Sequence, residues 1–250
     1  MKIIIVRHGD PDYTHDCLTE KGKREAELLA DKLVKNPAAA YYVSPLGRAR
    51  ETAEATLKRL GREAVVCPWM REFAARVKRP DREAPYIPWD MMPAFWTEDK
   101  RYYDRDQWYD TEVMRSGETE KEYRWVTESL DKLIADHGYV RDGEYYRAVR
   151  PNTDTIVLFC HFGVESVFLG HLLGISPVAL WHGTCAQTTS VTTLVTEERE
   201  AGIASFRMLT FGDVSHLTEH GEEPSFMARF CEVYSDFSQR HCRENENYQG

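Results

Sequence analysis

The sequence predicts an α/β fold: a three-layer sandwich with a mostly parallel central sheet flanked by helices, plus an inserted cap segment. Three observations predict it. Short apolar runs alternate with amphipathic stretches of helical period, as crossover-connected parallel strands require. Two of the apolar runs, Ile3–Val6 and Ile156–Phe159, are apolar throughout, which suits strands covered on both faces. Between the first and second halves lies a stretch, 74–117, that fits neither period.

In chain order, residues 2–7 read as a buried strand. "LTEKGKREAELLADKLVK" follows as a helix, with Leu18, Ala26, Leu29, Ala30 and Leu33 at helical spacing, Thr19 as N-cap and Glu20 in the first turn. "AAAYYVSP" is a second strand stopped by Pro45, "LGRARETAEATLKRL" a second helix, and "EAVVCPW" a short third strand. Residues 74–117 are broken by Pro80, Pro85, Pro88 and Pro93 and crowded with Tyr86, Trp89, Phe95, Trp96, Tyr102, Tyr103, Trp108 and Tyr109. That is too aromatic for a disordered linker and predicts an ordered insertion of short helices, folded as a cap over the site. "ETEKEYRWVTESLDKLIADHG" is an amphipathic helix ending at Gly138, and "RDGEYYRAV" a hairpin turning on Asp142-Gly143. "TDTIVLFCHFG" is the most apolar strand, followed by the helix "VESVFLGHLLG". "SVTTLVTEE" and "IASFRMLTFG" close the sheet as an antiparallel pair, and 224–250 form a polar, helical tail. All 250 residues are expected to make one domain.

The chain has 42% hydrophobic residues and a formal charge of −9. The charge argues against nucleic acid or an anionic membrane as partner, but leaves room for a small phosphorylated substrate held by a few focused arginines. The apolar start is too short for a secretory signal, so a cytoplasmic location is expected. The six cysteines show no C-x-x-C and no zinc pattern, and are read as reduced thiols.

In open α/β sheets the site lies beyond the carboxyl ends of the strands. One strand ends in Arg7-His8-Gly9 and another in Cys160-His161-Phe162-Gly163. Arg48 lies in the first turn of the helix after the second strand, at the same sheet edge; Arg50 is its rival. Two histidines with two arginines suit a phosphate better than a metal, because guanidinium donors match phosphate oxygens and a neutral imidazole can attack phosphorus. The helix start after His161, with Gly163, adds backbone N–H groups. A second, protonated imidazole at His161 would offset the charge on the phosphate oxygens. The acidic loop Asp10, Asp12, His15 and Asp16 invites a metal reading, but Arg7 would repel a cation; those residues are expected to cap and pair locally, or to line the mouth of the site. His171, His182, His216 and His241 are expected to be structural, although His182, placed in a loop before a strand, could face the cleft.

"RHG" after the first strand, "LTEKGKREA", "SPLGRARETA" and the late "CHFG", in this order, resemble the histidine phosphatase superfamily, the phosphoglycerate mutase-like clan; the terminal "FGDVSHL" fits the same pattern. The resemblance implies that His8 is the phosphorylated nucleophile, that Arg7 and Arg48 clamp the phosphate, and that His161 is the second phosphate-binding histidine. It places Thr14 where many members carry an asparagine near the phosphate, and Glu72 at the proton donor. It implies a phosphomonoester phosphatase working through phosphohistidine with no metal or organic cofactor. The alternatives are a phosphoglycerate-type mutase and a non-catalytic phosphate-binding module. Tyr13 and Thr14 stand where mutases carry Trp-Asn, Phe162 stands for a glycine, and the glycines after Glu72 are absent; these departures favour the phosphatase. A homodimer is compatible with the sequence.

Overall fold

The computed structural model describes residues 1–225 and 233–239. Its central sheet has eight strands in the order β5-β4-β8-β1-β9-β10-β7-β6. The chain enters through β1 (Lys2–Arg7), makes a small side hairpin of β2 (Pro11–Asp12) and β3 (Cys17–Leu18), and continues into α1 (Glu20–Leu33), β4 (Ala40–Val43), α2 (Gly47–Leu60) and β5 (Val65–Val66). The aromatic insertion contributes α3 (Pro93–Trp96), α4 (Glu112–Arg115) and two 3₁₀ turns, and leads into α5 (Thr119–Asp136). Strands β6 (Tyr139–Asp142) and β7 (Tyr145–Ala148) form the expected hairpin, whose two-residue loop is Gly143-Glu144, with Gly143 at φ +60°. Then come β8 (Thr155–Cys160), α6 (Phe162–Leu173), α7 (Pro177–Gly183), the long pair β9 (Val191–Glu200) and β10 (Ile203–Asp213), and α8 (Ser215–Thr218).

The sheet is mixed. β5, β4, β8 and β1 run parallel, and from β1 outward every pairing is antiparallel. The parallel half carries the site, because its strands release the chain at one edge. Strand pleating sends alternate residues to opposite faces. Val6, Val157 and Phe159 join Leu29, Ala49 and Ala53 of α1 and α2 in one core. Ile3, Ile5, Leu158 and Cys160 join Val126, Leu130, Val164 and Phe168 of α5 and α6 in the other. Burying each large aliphatic side chain contributes roughly 1.5–3 kcal/mol. Helix α6 is apolar almost all round and correspondingly buried from Phe162 to Gly170. Thr19 caps α1 by accepting from the Gly22 N–H, as its position predicts.

The insertion is not a detachable flap. Val77, Trp108 and Met114 are wholly buried in the α5/α6-side core, and Ser176 donates to the Tyr102 carbonyl at 2.6 Å. Removing 74–117 would therefore open the core itself. His182 differs from expectation too. It lies on helix α7, which Ser176 caps and Pro177 begins, and not in a loop. Its Nδ1–H donates to the Val178 carbonyl, Nε2 accepts from the Met91 N–H at 3.0 Å, and the ring stacks on Trp96, so it is spent on holding the insertion. Of the expected helical tail, Pro224 and Ser225 are irregular and Phe237–Gln239 form a 3₁₀ turn; 226–232 and 240–250, with Cys231, His241 and Cys242, lie outside the described residues. Of the described cysteines, Cys17, Cys67 and Cys160 are free thiols.

Candidate active site

β1 and β8 are neighbours, with Arg7 opposite Cys160, so the two strand-end histidines emerge side by side. The His8 N–H donates to the Cys160 carbonyl at 3.0 Å, and the imidazole centroids lie 5.1 Å apart. β4 flanks β8 on the other side, and Ser44, just past its end, meets His161 at 2.7 Å. Arg48, one residue into α2, is buried, whereas Arg50 is exposed, so geometry selects Arg48.

The hydrogen bonds fix the His8 tautomer. His8 Nδ1 lies 2.7 Å from the Gly9 carbonyl. A carbonyl only accepts, so Nδ1 carries the proton and Nε2 keeps its lone pair. Ser44 Oγ, which also accepts from the Leu46 N–H, is hydrogen-bonded to His161 Nε2, and His161 Nδ1 is left with no partner. Burial, then the charges of Arg7 and Arg48, hold the His8 pKa well below its ordinary 6.5. Burial, then His8, Arg48 and Arg7, do the same to His161. Both rings are therefore neutral at pH 7 in the empty site. The protonated His161 expected from sequence is corrected on this point: two guanidinium charges in a buried pocket oppose a third cation.

Each arginine is oriented by one acceptor. Arg7 Nη1 donates to the Ala186 carbonyl, and Arg48 Nη1 to Asp16 Oδ1 at 2.5 Å. Their Nε–H groups, like His161 Nδ1, are buried without a partner. Two unspent buried guanidinium N–H donors are a costly arrangement unless an acceptor such as an oxyanion completes it.

Glu72 reaches the cluster from the segment after β5. Its Oε1 accepts from the N–H groups of Phe73 at 2.8 Å and Val164 at 3.0 Å. Burial raises its pKa above 4.5, against the pull of those two N–H groups and of Arg48 and Arg7. Gly163 stands at the closest approach. A Cβ there would lie 2.6 Å from Glu72 Oε1 and 2.7 Å from Trp89 Nε1, so the position must be glycine for the carboxyl to dock on the helix start. Thr14 lies apart from these groups, exposed on the loop tip, where its N–H donates to Asp12. Its neighbour Tyr13, exposed as well, lies over Arg48, whose guanidinium is 5.3 Å from its ring centre.

The acidic loop is dispersed among local partners. Asp12 pairs with His15 at 2.7 Å, Asp10 accepts from the Thr19 hydroxyl at 2.5 Å, and Asp16 accepts from the Gly47 N–H as well as Arg48. Among the described residues no group of three or more His, Cys, Asp or Glu is arranged to hold a metal. Sequence reasoning did not assign Ser44 or the loop before β9 a place at the site, and gave Asp16 no link to Arg48. That loop supplies the Ala186 acceptor, and its Thr189 N–H donates to the His8 carbonyl at 3.2 Å. The Thr189 hydroxyl accepts from buried His216, which explains the "SHL" of the terminal motif as a brace on the floor of the site.

Residues 3–208 match the model of the histidine phosphatase superfamily (branch 1), and the chain belongs to that family. A probable phosphoglycerate mutase GpmB of Photorhabdus laumondii is 31% identical over 82 residues, 29% of this chain; the match spans 38% of that curated relative's length. Among solved structures, a mycobacterial glucosyl-3-phosphoglycerate phosphatase aligns with a TM-score of 0.59 at 19% identity, over 84% of this chain and 98% of its own. A phosphoserine phosphatase from Entamoeba histolytica, in complex with phosphoserine, aligns at 0.57 and 18% identity, over 86% and 98%. The alpha-ribazole phosphatase of Shigella flexneri aligns at 0.54 and 17% identity, over 86% and 97%. At these identities the likeness is one of fold.

Proposed function

We propose that this chain is a phosphomonoester phosphatase that works through a phosphohistidine on His8. One observation carries the reading: a buried, neutral His8 with Nδ1–H locked on a carbonyl, beside two arginines with unspent Nε–H donors and a buried carboxyl. The substrate phosphate binds between Arg7, Arg48 and His161, with the α6 start at Gly163 contributing its backbone. His8 Nε2 attacks phosphorus in line, the P–O ester bond breaks, and the Glu72 proton passes to the leaving oxygen. Ionised Glu72 then takes a proton from water, whose oxygen attacks phosphorus; the P–N bond breaks and free phosphate leaves. The guanidinium groups supply the charge stabilisation, so the proposal calls on no metal or organic cofactor.

The chain is taken as one domain, with 74–117 as the cap that sets the substrate. Trp89 anchors on the Phe73 carbonyl and sets its edge against Phe162, and with Tyr13 it walls the mouth. Aromatic walls of this kind suit an organic leaving group, and the substrate is a small phosphorylated metabolite of the kind the aligned phosphatases are named for. A cytoplasmic place, no nucleic acid or membrane partner, and compatibility with a homodimer follow the sequence reading; no helix among the described residues is long and apolar enough to cross a membrane. A mutase shares this site, and the curated relative bears that name. The deciding experiment is a panel of phosphorylated metabolites assayed in parallel for free phosphate and for isomer. Free phosphate supports the phosphatase, isomer the mutase, and neither product from any ester the binding module.

Two substitutions test the supports. Gly163→Ala should lower kcat for alkyl phosphates by roughly 10²-fold, because the added Cβ displaces Glu72. Asp16→Ala frees Arg48 and should weaken binding of inorganic phosphate about tenfold by calorimetry, the scale of one charge-assisted hydrogen bond.

A further inference from the structure

Two glutamates are buried near the site, and they are treated oppositely. Glu25 on α1 is saturated: it accepts from the N–H groups of Asp10 and Ser225 and from the Thr188 hydroxyl, each at 2.9 Å. Glu165 on α6 is 1% exposed, and neither carboxyl oxygen has a hydrogen bond of good geometry. It occupies the first turn of a helix that is mostly apolar, where a buried carboxyl without a hydrogen bond is costly.

Its surroundings explain the choice. Pleating puts Ile5 and Arg7 on the sheet face that α6 covers, and Thr192 pairs with Ile5 in register. Cys160 lies opposite Arg7 on the same face. The groups that act on Glu165 are Thr192 from β9, Arg7 from β1 and Glu72 from the segment after β5, while Glu165 in turn acts on the Cys160 thiol of β8. The Thr192 hydroxyl and Arg7 favour the carboxylate; burial, the largest influence, and Glu72 favour the acid. Glu165 thus shares a sheet face with Arg7 and feels its charge without an ion pair to it.

We propose that Glu165 is a proton-linked counter-charge for the phosphate site, partly ionised when the site is empty and protonated when Arg7 is engaged by a bound dianion. The proposal rests on the phosphate-site reading above. A dianion beside Arg7 cancels the one nearby charge that favours the Glu165 carboxylate, so binding draws a proton into the interior. Burial already lifts this carboxyl to about 7, where the balance is most responsive. By linkage, affinity for a dianion then falls as pH rises through neutrality.

Tungstate is a suitable probe, since it is a phosphate-like dianion that carries no proton of its own near neutral pH. Its binding to the full chain is measured by calorimetry at pH 7 in buffers of different ionisation enthalpy. The wild type should take up more protons than Glu165→Gln, and the variant should show a shallower decline in affinity between pH 6 and pH 8. Equal uptake and equal pH dependence would overturn the proposal while leaving the phosphate site intact. Absence of tungstate binding to the wild type would overturn both. Should Glu165→Gln fail to fold, infrared difference spectra of Glu72→Gln, which keeps Glu165, replace it. Tungstate should raise the carbonyl band of a protonated carboxylic acid, and no such band would refute the idea.

Discussion

His8→Ala should lower kcat/KM by roughly 10⁴-fold or more, because the nucleophile of a two-step transfer has no substitute in the pocket. His161 is the nearest candidate, yet its Nε2 is engaged by the Ser44 hydroxyl. Binding should survive, since Arg7, Arg48 and His161 remain. Rapid quenching of the wild type with a labelled ester should trap label that survives alkali and is lost in acid, the signature of a phosphoramidate rather than a phosphoserine ester. The variant should trap none. Substantial turnover by His8→Ala, or label mapping to another residue, would remove the phosphohistidine mechanism and return attention to the loop of Asp10, Asp12 and His15.

What the sequence disclosed and what it hid divide along a physical line. Arg7-His8 and Cys160-His161 were legible because an apolar strand that stops abruptly at polar residues marks its own carboxyl end. Arg48 was legible at the same edge, though its preference over Arg50 needed the burial of the α2 face. Glu72 was found through family likeness, but the reason it can dock, the bare Gly163, appears only when α6 meets the segment after β5. Asp16 was read as a local partner, and it is one; that its partner is the guanidinium of Arg48 depends on how β3 lies against α2. The loop before β9 was invisible because it contributes carbonyls and N–H groups, which every residue type carries. His182 was misplaced in a loop although Ser176-Pro177, a cap followed by a first-turn proline, advertised the helix.

The insertion shows the same division from another side. Its aromatic density correctly announced order, but composition does not say which rings face a ligand and which face the core. Trp108 packs edge-on against Phe73, Tyr109, Tyr123 and Trp181 and is wholly buried, whereas Trp89 reaches the start of α6. Substrate choice is therefore best probed by substitution at Trp89 and Tyr13 than by deletion, which would cost the fold.

The second large effect is expected at Glu72, and it depends on the leaving group. Glu72→Gln should lower kcat/KM for an alkyl phosphate by roughly 10²–10³-fold, the usual worth of a positioned general acid. With p-nitrophenyl phosphate the phenolate leaves with little protonation, so the loss should be far smaller and the His8 adduct should still form. The pH profile gives an independent reading. Burial raises the Glu72 pKa, which keeps a protonated fraction available above the range of an ordinary carboxyl. The wild-type rate with the alkyl ester should therefore fall as pH rises through that raised value, because the acid form is being lost. The p-nitrophenyl ester should show no such fall, and neither should the glutamine variant, whose amide does not titrate. Equal losses on both esters would mean that Glu72 orients the phosphate or braces the start of α6 through its bond to the Val164 N–H, and does not deliver the proton.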